Sequence, residues 1–229
     1  MTVTWEELGW ERLGDGVGRV RLPGWDCTVG LVITPDAALL IDSGSSLPEG
    51  ARLRDLLPVN VTHLALTHPH FDHVFGAAAF PEAEVYAAYA GYDAAELAAD
   101  AVRNGLDTDL AQEAAAALTA PGHVVTRACT PVPGIDLVPL GPAHTPYDLV
   151  VTVSGAVPVV FCGDLVEESG EPQAGPDAAV SRWPSALDAL LALGGEDAVY
   201  VPGHGAVVDA AFVRRQRDAL SERFGVSRG

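Results

Sequence analysis

From Thr67 to His73 the chain reads Thr-His-Pro-His-Phe-Asp-His, so three imidazoles and a carboxylate fall between His68 and His73. Side chains two apart in an extended segment point the same way, which puts His68 and His70 on one side. Asp72 and His73 follow where a short helix is expected to start. Imidazole nitrogen and carboxylate oxygen are ligand types that zinc accepts. A lone His-x-His reads as readily as surface polarity. His-x-His-x-Asp-His directly behind the apolar run Val61 to Leu66 points instead to metal chemistry.

Three later positions supply matching ligand types, in order. His144 lies in Gly141-Pro142-Ala143-His144-Thr145-Pro146, Asp164 in Phe161-Cys162-Gly163-Asp164, and His204 in Val201-Pro202-Gly203-His204-Gly205. Each is expected at a strand end near glycine, which lets backbone come close to a crowded centre.

Positioning them takes a framework of short strands and helices. Val17 to Leu22 reads as a strand turning at Pro23-Gly24; Cys27 to Thr34 and Ala37 to Ile41 read as a hairpin around Pro35-Asp36, ending at Asp42. Ser46 and Glu49 have capping-box spacing ahead of a helix with Leu53, Leu56 and Leu57 on one face, stopped before Pro58. Val61 to Thr67 is a strand with the histidines at its C-terminal end, where open α/β sheets hold ligands. A short helix Asp72 to Phe80 and a strand Glu84 to Ala88 precede a helix-rich stretch, Ala94 to Leu118, broken near Gly105 and without chemical residues of its own. Strands follow at Val124 to Cys129, Ile135 to Leu140, Leu149 to Val153 and Val157 to Phe161. A helix from Pro184 to Leu193, a strand from Ala198 to Val201 and a helix capped by Asp209 complete the chain. The runs Ala37 to Asp42 and Val157 to Asp164 both end in an acid flanked by glycine, a faint echo of two similar halves.

On these motifs the chain resembles the metallo-β-lactamase-fold hydrolase superfamily. The cluster matches that family's His-x-His-x-Asp-His signature, and His144, Asp164 and His204 match its later metal-binding motifs. The resemblance runs from the hairpin before Asp42 to the Pro-Gly-His-Gly motif. It implies a four-layer αββα sandwich of two mixed β-sheets with helices outside. That makes one domain over residues 1–229, with a helix-rich insertion at about 91–120. It also implies two zinc ions per chain, one held by His68, His70 and His144, the other by Asp72, His73 and His204, with Asp164 bridging. The same ligand types accept iron or manganese. Zinc lowers the pKa of a bridging water towards ~7, and the resulting hydroxide attacks a carbonyl carbon. Asp72 is then both ligand and candidate proton acceptor. The family often has Gly and then a small residue or His after His-Thr-Pro, whereas Tyr147 and Asp148 stand here. Tyr147 is a candidate substrate contact, and Asp148 and Asp42 are candidates to orient ligand histidines. His63 is expected to be structural, His123 exposed, Cys162 an apolar filler, and Trp25 and Trp183 packing residues before pocket walls.

The implied activity is hydrolysis of a small acyl substrate, an ester, thioester or lactone. β-Lactamases of this fold lack a bridging aspartate such as Asp164, whereas glyoxalase-II-like thioesterases and lactonases use one. The alternative is a mononuclear iron-dependent oxidoreductase of the persulfide-dioxygenase type. A net charge of −18 repels phosphate backbones and anionic lipid heads, so neither nucleic acid nor membrane is an expected partner. Three cysteines with no Cys-x-x-Cys pair suit a reducing compartment. The N-terminus carries no signal-like apolar stretch, so a cytoplasmic location is expected.

Overall fold

The computed structural model describes residues 4–118 and 120–226. The chain forms two compact units, Met1–Val124 and Val125–Gly229. Each is built on one sheet.

The first unit holds a seven-stranded sheet in sequence order: β1 (Glu11–Gly14), β2 (Val17–Arg21), β3 (Thr28–Ile33), β4 (Ala38–Ile41), β5 (His63–Ala65), β6 (Glu84–Ala87) and β7 (His123–Val124). The expected hairpin is present, with Ile33 opposite Ala38. From β4 onward the neighbours are parallel. Parallel neighbours need crossovers. Helix α1 (Leu47–Leu56) joins β4 to β5, the single turn α2 (Phe71–Val74) lies between β5 and β6, and α3 (Ala94–Arg103) and α4 (Thr108–Ala117) join β6 to β7. The C-terminal ends of β4, β5 and β6 therefore open at one edge of this sheet.

Sequence chemistry explains the helix ends. Ser46 Oγ accepts the Glu49 amide at 3.3 Å, but the Glu49 carboxylate reaches Ser45, its amide at 2.8 Å and its hydroxyl at 2.7 Å, rather than Ser46. Leu53 is buried, yet Leu56 is 58% exposed, so α1 buries a narrower stripe than its leucine spacing predicts. On α3 and α4 the buried positions are largely alanines, Ala101, Ala111, Ala114 and Ala115, whose small side chains let helices pack closely. They join Leu31, Leu40, Leu64, Phe71 and Phe75 in one core.

The second unit holds a five-stranded sheet in the order β12-β11-β10-β9-β8. The strands are β8 (Cys129–Val132), β9 (Ile135–Pro139), β10 (Leu149–Val153), β11 (Val159–Glu167) and β12 (Val199–His204). All pairs are antiparallel except β11 with β12. Helices α5 (Trp183–Gly194) and α6 (Ala210–Phe224) pack on each other, and α5 packs on β11. Val160, Leu165, Trp183, Leu187, Tyr200 and Val213 form the core.

Two expected strands come out differently. Val124 to Cys129 is not one strand: its first residue closes the first sheet and its last opens the second, because Val124 pairs with Ala87 and Cys129 with Leu137. β11 does not stop at Phe161 but continues to Glu167, since β12 follows it through a shift of register. Asp164 consequently lies inside a strand rather than after one. Among the described residues no helix is long and apolar enough to cross a membrane.

Candidate metal centre

In the first unit the His68–His73 segment leaves the end of β5 and turns into α2. The rings crowd together: His68 lies edge-on to His70 with centroids 4.7 Å apart, and 4.2 Å from His73. His68, Asp72 and His73 are buried and His70 is half-buried. Asp42, directly after the adjacent β4, sets the tautomers of His73 and His68. Its Oδ1 accepts the Thr67 amide at 2.8 Å, and its Oδ2 accepts the Thr67 hydroxyl at 2.8 Å and faces His73 Nδ1 at 2.8 Å. A carboxylate only accepts, so the His73 proton sits on Nδ1. The Thr67 hydroxyl spends its one proton on Asp42, so it accepts from His68 Nδ1, 2.9 Å away. Both rings are thereby left with an unprotonated Nε2, the form that binds a metal.

The one-turn helix carrying Asp72 and His73 is docked against the loop after Asp42. The Ser43 amide and hydroxyl both donate to the His73 carbonyl, at 2.9 and 2.8 Å, and the Gly76 amide donates to the Gly44 carbonyl at 3.0 Å. A Cβ on Gly76 would lie 2.0 Å from the Ser43 carbonyl oxygen, so only glycine permits that approach. His73 Nε2 stands 3.6 Å from Asp72 Oδ2.

In the second unit, Asp164 on β11 is the meeting point. Its Oδ2 lies 3.5 Å from His144 Nε2 and 3.3 Å from His204 Nε2. His144 Nδ1 donates to the Gln173 carbonyl at 3.0 Å, again leaving Nε2 to face the carboxylate. The buried Trp183 sits edge-on behind His144, at 5.2 Å. Asp148 accepts the Thr145 amide at 2.9 Å and the Thr145 hydroxyl at 2.8 Å, fixing the turn that follows His144. Tyr147 is 47% exposed on that same turn.

Gly203 completes this cradle. A Cβ there would fall 1.8 Å from Asp164 Oδ1 and 2.9 Å from the Gly163 carbonyl carbon. The carboxylate therefore occupies the space that any other residue would fill. Gly203→Ala is expected to push Asp164 out of register and to cost about 1–3 kcal/mol, the usual range for overpacking. Its metal content and thermal midpoint should both fall; a variant with wild-type metal content would show that Asp164 does not need this space.

These distances test whether a metal suits the residues. At 3.3–3.6 Å the three carboxylate–imidazole separations exceed the about 2.7–3.2 Å of an ordinary N–H···O bond. Two atoms each about 2.0–2.1 Å from a tetrahedral zinc stand about 3.3–3.4 Å apart. Each of these carboxylate–imidazole pairs has donor chemistry and spacing that fit a shared ion.

Sequence reasoning passed over several groups here. Thr67 relays Asp42 to His68, and Gln173 supplies a backbone oxygen, which no side-chain motif announces. Tyr89 and Tyr92 follow β6, with hydroxyls 3.1 Å apart. Burial lifts the Tyr89 phenol well above its ordinary pKa, with Tyr92 and the Asp42 charge adding to it. Burial likewise pushes Tyr92 up to about 12, the Asp42 charge adding. Both remain protonated donors near neutral pH. Their position after the strand next to β5 was the available signal. The other residues fall elsewhere: His63 and His123 both stack against Tyr86, at 6.0 and 4.4 Å. Cys162 is buried, and burial pushes its thiol well up. Trp25 packs edge-on to Phe71 at 5.3 Å.

The profile of the metallo-beta-lactamase superfamily matches residues 22–204, a span that contains every ligand residue described above. The chain belongs to that superfamily. As a metallo-beta-lactamase superfamily member it is a metal-dependent hydrolase acting on a small molecule. Among curated proteins none matches closely enough to count as a relative. Solved structures do. The metallo-beta-lactamase FIM-1 from Pseudomonas aeruginosa, in its mono-zinc form, is 22% identical with a TM-score of 0.70, covering 95% of this chain and 96% of its own. A metallo-beta-lactamase from Hirschia baltica is 17% identical with a TM-score of 0.67, covering 93% and 96%. DIM-1 metallo-beta-lactamase is also 17% identical, with a TM-score of 0.70, covering 93% and 97%. At such identities the likeness is one of fold. The fold class is accordingly the superfamily's α/β sandwich of two mixed sheets.

Proposed function

We propose that this superfamily member is a binuclear zinc hydrolase of small acyl substrates, an ester, thioester or lactone. In this reading the two ligand sets act together, His68, His70 and His144 with Asp164 as one group, and Asp72, His73 and His204 as the other. Asp164 would be common to both. The observation that carries the reading is the convergence of His144 and His204 on the same Asp164 oxygen, 3.5 and 3.3 Å away. One carboxylate oxygen facing two imidazoles at ligand-to-ligand spacing suits a bridge. It also favours the thioesterase and lactonase branches over the β-lactamases, whatever the fold neighbours are called.

Bound there, zinc acts as a Lewis acid that polarises a carbonyl and supplies a nucleophile from water near neutral pH. The chain's own residues do the rest. Asp42 holds the His73 proton on Nδ1 and, through Thr67, the His68 proton likewise. In this reading Asp72 takes up a proton as well as ligating, which its burial and its 3.6 Å approach to His73 Nε2 support. Tyr147 meets substrate in this reading, which its exposure on the turn after His144 supports.

Elemental analysis of protein purified without chelator tests the proposal, followed by a panel of aryl esters, a glutathione thioester, acyl lactones and a chromogenic cephalosporin. About two zinc ions per chain, with turnover of an acyl substrate other than the cephalosporin, is the expected result. One iron per chain with oxygen uptake on a thiol substrate would replace it with the oxidoreductase reading. Protein that neither holds nor takes up metal would sink it.

A further inference from the structure

We propose that Gln216, on α6, is a positioning residue for the metal ligands of the second unit: its amide holds the bulge of β11 that carries Asp164 and, through Glu167 and Gln173, His144. This rests on the metal reading above.

From Gly163 to Glu167 strand β11 takes four steps while β12 takes two, from Pro202 to His204. Extra residues in a buried strand carry backbone groups that must find partners. A side chain provides them. Gln216 Nε2 donates to the Leu165 carbonyl at 2.7 Å, and Gln216 Oε1 accepts the Glu167 amide at 3.1 Å. The carboxamide offers donor and acceptor side by side, as a neighbouring peptide would, and spans Val166 between its two bonds. Trp183 Nε1 adds a second donor to the Leu165 carbonyl, at 3.0 Å. Gln216 is itself buried.

A buried glutamine bonded to backbone would ordinarily contribute stability alone. What marks this one is what the bulge goes on to hold. Asp164 projects from it towards His144 and His204. The buried Glu167 accepts the Gln173 amide at 3.3 Å, and the Gln173 carbonyl takes the proton of His144 Nδ1 at 3.0 Å. The Glu168 amide donates to the His204 carbonyl at 3.0 Å, and the Glu168 carboxylate accepts the Ala206 amide at 2.7 Å. Residues 164–168 thus include one ligand of this unit and reach the other two, directly or through Gln173, and Gln216 fixes the middle of that stretch.

The test compares Gln216→Leu and Gln216→Glu with Val213→Ala. Val213 is also buried on the same helix and belongs to the core of this unit. Gln216→Glu keeps the acceptor for Glu167 but sets a carboxylate against the Leu165 carbonyl. Metal dissociation constants would be read by chelator competition, with the visible spectrum of the cobalt form and the thermal midpoint of the metal-free protein alongside. Both Gln216 variants are expected to weaken metal binding about 10–100-fold, the range for groups that orient ligands, and to alter the cobalt spectrum. Val213→Ala is expected to lower the midpoint and leave affinity and spectrum unchanged. Should Gln216→Leu not fold, Gln216→Glu carries the comparison. Wild-type protein that takes up no metal overturns the underlying reading. Wild type that binds metal, with Gln216 variants that bind it as tightly, overturns this inference alone.

Discussion

Asp164→Ala is expected to leave at most about one metal ion per chain and to slow acyl hydrolysis about a thousandfold or more. Lewis-acid stabilisation of a transition state is worth several kcal/mol, and each 1.36 kcal/mol is about tenfold in rate. The geometry makes this residue the critical one, because His144 and His204 approach the same Oδ2. Without that oxygen each ion in the proposed site loses a ligand, and the charge that balances two dications also goes. Stability should separate this role from a structural one. In the wild type, saturating zinc should raise the thermal midpoint, since a ligand at 100 times its Kd adds about 2.7 kcal/mol. In the variant that rise should shrink or vanish, whatever the metal-free midpoint does. A variant that keeps two ions and full turnover would overturn the bridging role.

The chemistry of this chain is legible because it is local. His68, His70, Asp72 and His73 fall within six positions, and β5 in front of them is short, so one turn of chain delivers four candidate ligands of two types. Asp164 and His204 each stand beside glycine, and at Gly203 the reason is steric, the carboxylate filling the place of a Cβ. What the sequence conceals depends on pairing between distant segments. β11 runs on to Glu167 only because β12 accompanies it through a register shift, and no periodicity within Val159–Glu167 signals that. Val124 and Cys129 look like ends of one strand until their partners, Ala87 and Leu137, assign them to different sheets. The supports of the ligands are hidden for the same reason. Gln173 acts through its carbonyl and Gln216 through an amide on a helix far along the chain, and neither belongs to a motif. The pair Tyr89 and Tyr92 could have been flagged from place alone, since they follow the strand parallel to β5.

Asp42→Asn is expected to weaken metal binding about 10–100-fold while leaving the backbone unchanged. The substitution isolates one property. Asp42 has φ +60, a conformation that asparagine tolerates and alanine does not, so Asp42→Ala would add strain of about 1–2 kcal/mol to any chemical effect. Asparagine fits the same space but brings a donor where the carboxylate only accepts. If its oxygen keeps the Thr67 amide, its NH2 faces the Thr67 hydroxyl and His73 Nδ1, where the Asp42 Oδ2 now accepts from both. His73 must then carry its proton on Nε2, the atom that faces Asp72. The Thr67 hydroxyl turns to donate to His68 Nδ1, and that ring shifts its proton the same way. One substitution thus reverses two tautomers, and a protonated Nε2 is no ligand. Each buried donor left unsatisfied instead costs about 1–3 kcal/mol, so the metal-free protein should also melt earlier. Nitrogen-15 NMR of the imidazoles in the metal-free protein reads the tautomers directly, and chelator competition reads the affinity. Wild-type tautomers with protons on Nδ1, and variant tautomers with protons on Nε2, are the expected pair of results. If the variant keeps the wild-type tautomers and affinity, the histidines are being set by something other than this carboxylate.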